Sequence, residues 1–245
     1  MKSWAGFRNW PRRRSDGMKL FWRYGLFLTL VVFVVFLSPL WAAKNLSPEG
    51  TPTRAIQDLD KLLDQYVIGP RTSQEVQFNA ELKKKVLYGT FDIRRLCRLA
   101  LADHWQDIAS ADQEKFVSLM TQLLEKKAIF SKEQGGGKGT KANYFVVYKG
   151  DKYLSEDKNQ AMVMSYVNIP SEALKIGLNY KMIKEAEGSW RIYDVIVDDA
   201  SLLDNYRYQF DAIIRKDGFP DLMRRMEVKL KDLIKDHERR VGTSP

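Results

Sequence analysis

Beyond residue 50 the apolar positions fall three and four apart, the spacing of one helical face. Ile56, Leu59, Leu62, Leu63 and Tyr66 follow this rule and predict an amphipathic helix. Thr51-Pro52 supplies its cap and first residue, and Gly69-Pro70 its stop. Thr72 and Glu75 have the spacing of a capping box for a second helix that carries Phe78, Leu82 and Val86 on one side. Asp92 reads as the cap of a third helix running to about residue 101. Ser110 and Gln113 read as a further capping box, for a fourth helix bearing Phe116, Leu119, Met120, Leu123 and Leu124 and reaching about residue 130.

The period then changes. Residues 144–148, 162–169, 178–183 and 190–197 are β-rich runs, parted by the turn signals Gly150-Asp151, Pro170-Ser171 and Glu187-Gly188-Ser189. Four strands with short connections predict an antiparallel sheet. Helical spacing returns from Ser201, through Leu203, Tyr206, Phe210, Ile213 and Ile214, and Gly218 ends it. Pro220-Asp221 opens a last helix with Leu222, Met226, Leu230, Leu233 and Ile234. Helices, then a meander, then helices is an α+β order, expected to set helices on one face of a sheet. Residues 51–240 form the folded unit, 44–50 a linker and 241–245 a loose tail.

Charge changes the picture only at the N-terminus. The chain carries +9, from 40 basic and 31 acidic residues. Seven of the basic residues and one acid lie in residues 1–43, so the rest is nearly balanced at 33 to 30. A nearly neutral globular part carries no nucleic-acid footprint. The basic start precedes an uncharged stretch, 24–43, that is almost wholly Leu, Val and Phe over 26–37 and ends in Ala42-Ala43 after Pro39. This has the form of a secretory signal, with Met18 as an alternative start. An uncleaved membrane anchor is the competing reading, because about 18 apolar residues just span a bilayer. Either way the folded part is exported. Cys97 is the sole cysteine, so it forms no intramolecular disulfide, and its apolar helical setting marks it as a small core residue.

Reactive chemistry is thin. Gly135-Gly136-Gly137-Lys138-Gly139-Thr140 lacks the spacing and the strand-to-helix setting of a phosphate loop and reads as a solvent loop. His104 and His237 have no evident partners for a metal or a nucleophile; His104 is expected to pack near Trp105 and His237 to be solvated. Asp198-Asp199 reads as a turn or strand end. Arg94, Arg95 and Arg98 suit either the solvated side of a helix or an anionic headgroup. Neither a cofactor nor a metal is expected.

Three stretches resemble the MlaC, or toluene-tolerance, family. They are Phe91-Asp92-Ile93 continuing through Trp105, Ser110, Gln113 and Phe116; Trp190-Arg191-Ile192-Tyr193-Asp194-Val195; and Ser201-Leu202-Leu203-Asp204-Asn205-Tyr206-Arg207-Tyr208-Gln209-Phe210. The resemblance covers about residues 51–235 in order. It departs at Asp198-Asp199, where a Glu-Gly-like pair is usual, in the absence of a glycine within 99–103, and in the Gly-rich insertion at 134–140. What it implies is a periplasmic, monomeric phospholipid-binding shuttle with no catalytic residues. Its partners would be an inner-membrane ABC transporter complex and an outer-membrane lipoprotein complex, its fold helices on a curved cystatin-like sheet, and its cargo one phospholipid held between them. A membrane-tethered envelope partner without a lipid pocket is the alternative.

Carrying a lipid needs apolar wall rather than reactive groups. At about 0.8 kcal/mol per CH₂, two chains of about fifteen carbons cost roughly 25 kcal/mol to leave in water, so a carrier must enclose most of both. The strands supply candidates. Leu178, Tyr180 and Met182 share one strand face; Met162, Met164 and Tyr166 share another; Tyr144, Val146 and Tyr148 a third. Tyr193 and Val195 on the last strand, Trp105, Phe116 and Met120 before the sheet, and Tyr206 and Phe210 after it complete the expected lipid-binding set. Each could equally be dry core, because periodicity does not distinguish a cavity wall from an interior.

Overall fold

The computed structural model describes residues 46–67, 72–135 and 145–242. The leader 1–43, the Gly69-Pro70 stop, most of the Gly-rich run, Tyr144 and the end of the tail lie outside these residues. Seven α-helices and five strands are found among the described residues. α1 is Pro52–Leu63, α2 Ser73–Thr90, α3 Ile93–Leu101, α4 His104–Asp107 and α5 Ser110–Gly135. The strands are β1 Phe145–Tyr153, β2 Gln160–Ile169, β3 Leu174–Lys184, β4 Trp190–Val197 and β5 Ala200–Ser201, and the chain closes with α6 Leu202–Asp217 and α7 Phe219–Gly242. The sheet runs β1-β2-β3-β4-β5, antiparallel throughout.

Several caps form as expected. Thr51 accepts from the Arg54 amide, and Thr72 and Glu75 make the reciprocal capping box of α2. Asp92 caps α3 through the Arg95 amide. Ser201 caps α6, which Gly218 ends at φ +83°. The proposed box at Ser110 does not form. Ser110 is already helical, and the Gln113 side chain turns back to donate to the Trp105 carbonyl at 2.8 Å, fastening the short α4 to the start of α5.

Gly150-Asp151 is not a turn. β1 continues through it to Tyr153, and the ladder slips by one residue between Tyr148 and Gly150, a bulge that Gly150 accommodates at φ +103°. The hairpin turn comes later, where the Leu154 amide donates to the Gln160 carbonyl. A second slip, between Lys181 and Met182, faces the extra residue Tyr193 of β4.

The two sheet faces differ. Ala161, Val163, Ser165, Val167 and Ile169 of β2 are buried, and their neighbours on the same face of β3 are Ile176, Leu178, Tyr180 and Met182. This inner face packs with Ile56, Leu59 and Leu63 of α1 and Val86 of α2 into one apolar cluster. A second cluster joins α3 to α7, with Leu101, Phe116, Met120 and Leu222 at its centre, and takes in Tyr193 and Ile183 from the other side of the sheet. Helices therefore engage both faces rather than one. The cause is local: Val86 and Leu87, about 100° apart on α2, enter different clusters. Phe91, just past α2 and bridged to Ile192, packs against both.

Candidate functional site

The residues expected to bind lipid fall into three groups. Leu178, Tyr180, Met182 and Val195 are buried on the inner face with Val146 partly buried beside them, opposite α1. Trp105, Phe116, Met120, Tyr193 and Phe210 are buried in the helical cluster, where Tyr206 packs against them. Phe116 meets Phe210 edge-on at 5.6 Å, and Tyr206 stacks on Phe210 at 5.4 Å, so the aromatic group is an interlocked core. Met164 and Tyr166 belong to neither group. They occupy the outer face of β2, turned away from Leu178, Tyr180 and Met182, because strand neighbours alternate and the register opposes Met164 to Asn179 and Tyr166 to Gly177. One inner-face wall cannot include both sets.

The bulge in β4 is what divides the aromatic residues. Ile192 and Val195 both face the inner cluster, and the inserted Tyr193 swings to the helical one. There its ring lies under the Arg95 guanidinium at 5.1 Å and its hydroxyl approaches the Gln160 side chain at 3.4 Å. Burial raises the Tyr193 hydroxyl above its ordinary pKa, partly offset by Lys181 and Arg95.

Asp194, the next residue, is wholly buried and went unselected in the sequence because an acid in a strand reads as solvated. Its carboxylate accepts from the Leu203 amide at 3.0 Å and from the Ser201 hydroxyl at 2.8 Å, and pairs with Lys181 at 3.2 Å. It ties the last long strand to the start of α6. The α1 residues Ile56, Leu59 and Leu63 were legible as a helical face, yet nothing in their spacing identified the sheet as what they cover.

The remaining polar residues make the following contacts. His104 Nε2 lies 2.9 Å from Asp211, linking α4 to α6 in addition to its place beside Trp105. Asp211 also accepts from Arg215 at 2.8 Å, and these hydrogen bonds, Arg215 first, hold its carboxyl below the usual range. Asp198 and Asp199 form the turn between β4 and β5. Arg94 pairs with Glu114, and Arg207 donates to the Leu99 carbonyl at 3.1 Å. Among the described residues no group of three or more His, Cys, Asp or Glu is placed to hold a metal ion. No described helix is long and apolar enough to cross a membrane.

No curated protein matches the chain. The family model described as "MlaC protein" matches residues 60–228. Among solved structures, the phospholipid-binding protein from Ralstonia solanacearum, in complex with a phospholipid, is similar in fold. It is 18% identical, with a TM-score of 0.52, and the alignment covers 86% of this chain and 97% of that one.

Proposed function

The chain belongs to the MlaC family, and from that premise we propose that it is a phospholipid carrier, not an enzyme, that works in the periplasm and takes one diacyl lipid between the inner face of the sheet and α1. The observation that carries this reading is the wall of Leu178, Tyr180, Met182 and Val195 facing Ile56, Leu59 and Leu63. Along these residues the seam is apolar on both sides, while Thr53, Gln57 and Asp60 of the same 12-residue helix are also buried and Thr53 donates to Asp151 of β1 at 2.6 Å. Sliding an acyl chain into it exchanges one hydrocarbon contact for another, so α1 can part from the sheet without exposing apolar surface to water. The phospholipid complex of the Ralstonia protein, which is similar in fold, supports the carrier reading.

The basic, then apolar, leader supports export, and family membership supports a shuttle role between an inner-membrane ABC transporter complex and an outer-membrane lipoprotein complex. Native mass spectrometry of the protein purified from the periplasm tests the carrier reading. One phospholipid per chain is expected; protein that is free of lipid and takes none from vesicles would overturn it. Tyr180→Asp, on the inner face, is expected to cut the recovered lipid severalfold, with Tyr180→Phe retaining it. Met164→Asp, on the outer face, is expected to leave it unchanged. Equal loss from both aspartates would place the lipid elsewhere.

A further inference from the structure

We propose that the outer face of β1, β2 and β3 is a docking surface for an anionic phospholipid bilayer. The principal helix contacts of β1 and β2 come from α1, on the inner face, and the helical cluster meets the sheet at β4 and at Ile183, near the end of β3. Over β1 to β3 the outer face carries Phe145, Val147, Met162, Met164 and Tyr166, with Phe145 42% exposed.

Cations ring this apolar strip. Lys149 Nζ lies 5.2 Å and Lys175 Nζ 3.9 Å from the centre of the Tyr166 ring, one lysine from each neighbouring strand. Lys152 stands opposite Met162 in the ladder, and Lys181 stands on its other side. Among the described residues Lys149, Lys152 and Lys175 form no ion pair; Lys181 pairs with Asp194, the acid of this face, which is wholly buried. The exposed charge of the strip is therefore positive.

The residue types favour a bilayer over a protein. Protein interfaces are depleted in lysine and enriched in arginine, and the cations here are lysines without exception. Lysines beside a tyrosine on an apolar strip are what an interfacial surface uses: the ring sits at headgroup level and the flexible ammonium groups reach lipid phosphates. The bulge assists: Lys149 keeps the alternation of Phe145 and Val147, and the slip that follows it sets Lys152, rather than Asp151, opposite Met162 on the outer face.

This surface does not depend on the cargo lying behind the opposite face, so its test is separate from lipid recovery. The protein purified from the compartment to which it is exported is sedimented with phosphatidylcholine vesicles containing either no phosphatidylglycerol or about a third. A retained leader, basic before its apolar stretch, would add the same anionic preference to the wild type and to every variant, so the readout is the change in the ratio of the two affinities between wild type and variant. The wild type is expected to favour the anionic vesicles, and the preference to collapse in high salt. At about fivefold per lysine, Lys149→Gln/Lys152→Gln/Lys175→Gln is expected to lower that ratio on the order of a hundredfold. The companion Lys229→Gln/Lys231→Gln/Lys235→Gln, on α7, is expected to change it less than fivefold, and thermal unfolding checks that both variants fold. Equal binding to both vesicles by the wild type would overturn the proposal, as would equal loss in the two triple variants. Loss of capture by a partner protein with the vesicle ratio intact would also overturn it and assign the face to a protein.

Discussion

Asp194 gathers donors from three elements, Lys181 of β3, Ser201 of β5 and Leu203 of α6, around a carboxylate that water does not reach. Removing it strands the Lys181 ammonium, which is 29% exposed, and an amide in the first turn of α6. Asp194→Ala is expected to cost roughly 2–3 kcal/mol in urea unfolding, less than a fully buried pair because Lys181 still meets solvent, and Asp194→Asn about half of that. A loss below 1 kcal/mol from the alanine would show that the three elements are joined by other means. Cys97 makes a second test: its side chain is buried in the helical cluster, and burial pushes the thiol up, so it stays protonated through neutral pH. The folded protein is expected not to react with a thiol reagent at pH 8, with full reaction in denaturant. At this scale the sequence was uneven. Cys97 as core could be read from its neighbours, whereas Asp194 could not, because its partners lie on a different strand and beyond a turn.

The turn from β4 to β5 shows how an element can hold a costly conformation. Asp198 and Asp199 both have positive φ, +45° and +66°, as a two-residue hairpin of the primed type requires. Asp198 recovers something for this, since its carboxylate accepts from the Gly177 amide at 2.7 Å. A side chain at Gly177 would crowd that carboxylate, its Cβ lying 3.3 Å from Oδ1. Asp199 has no such contact at its second turn position. Asp199→Gly is expected to stabilise the fold by up to about 1 kcal/mol, seen as a higher midpoint in urea; a destabilised variant would mean the Asp199 side chain has a role of its own. Helix ends were the most legible elements, because Thr72, Asp92, Ser201 and Gly218 act through bonds to residues three or four away. The bulges were not, and for one reason: Gly150 and Tyr193 are irregular only relative to a partner strand, which the local pattern does not contain. That is why Gly150-Asp151 read as a turn; that Met164 and Tyr166 turn away from Tyr180 depends instead on the pairing of β2 with β3, which the pattern along one strand does not contain either.

For the molecule as a whole, the separation into an inner-face cluster and a helical cluster makes Phe91 a shared support. It is only partly buried, but it packs against both and bridges to Ile192. Phe91→Ala is expected to cost about 2–3 kcal/mol in equilibrium unfolding, somewhat below the loss for a fully enclosed phenylalanine. A loss under 1 kcal/mol would mean that the clusters are coupled through another contact. The α+β order and the antiparallel meander followed from periodicity alone, and the helices' use of both sides of the sheet did not. The kink at Gly150 has a further consequence at this scale. Among the described residues β1 is a long border strand of the sheet, and a border with free amides and carbonyls invites a second molecule to add itself as the next strand. With its hydrogen-bonding rhythm interrupted midway and Lys149 and Lys152 on either side of the break, that border offers a newcomer no straight run to pair with, and molecules crowded together at high concentration are kept from zipping into fibres.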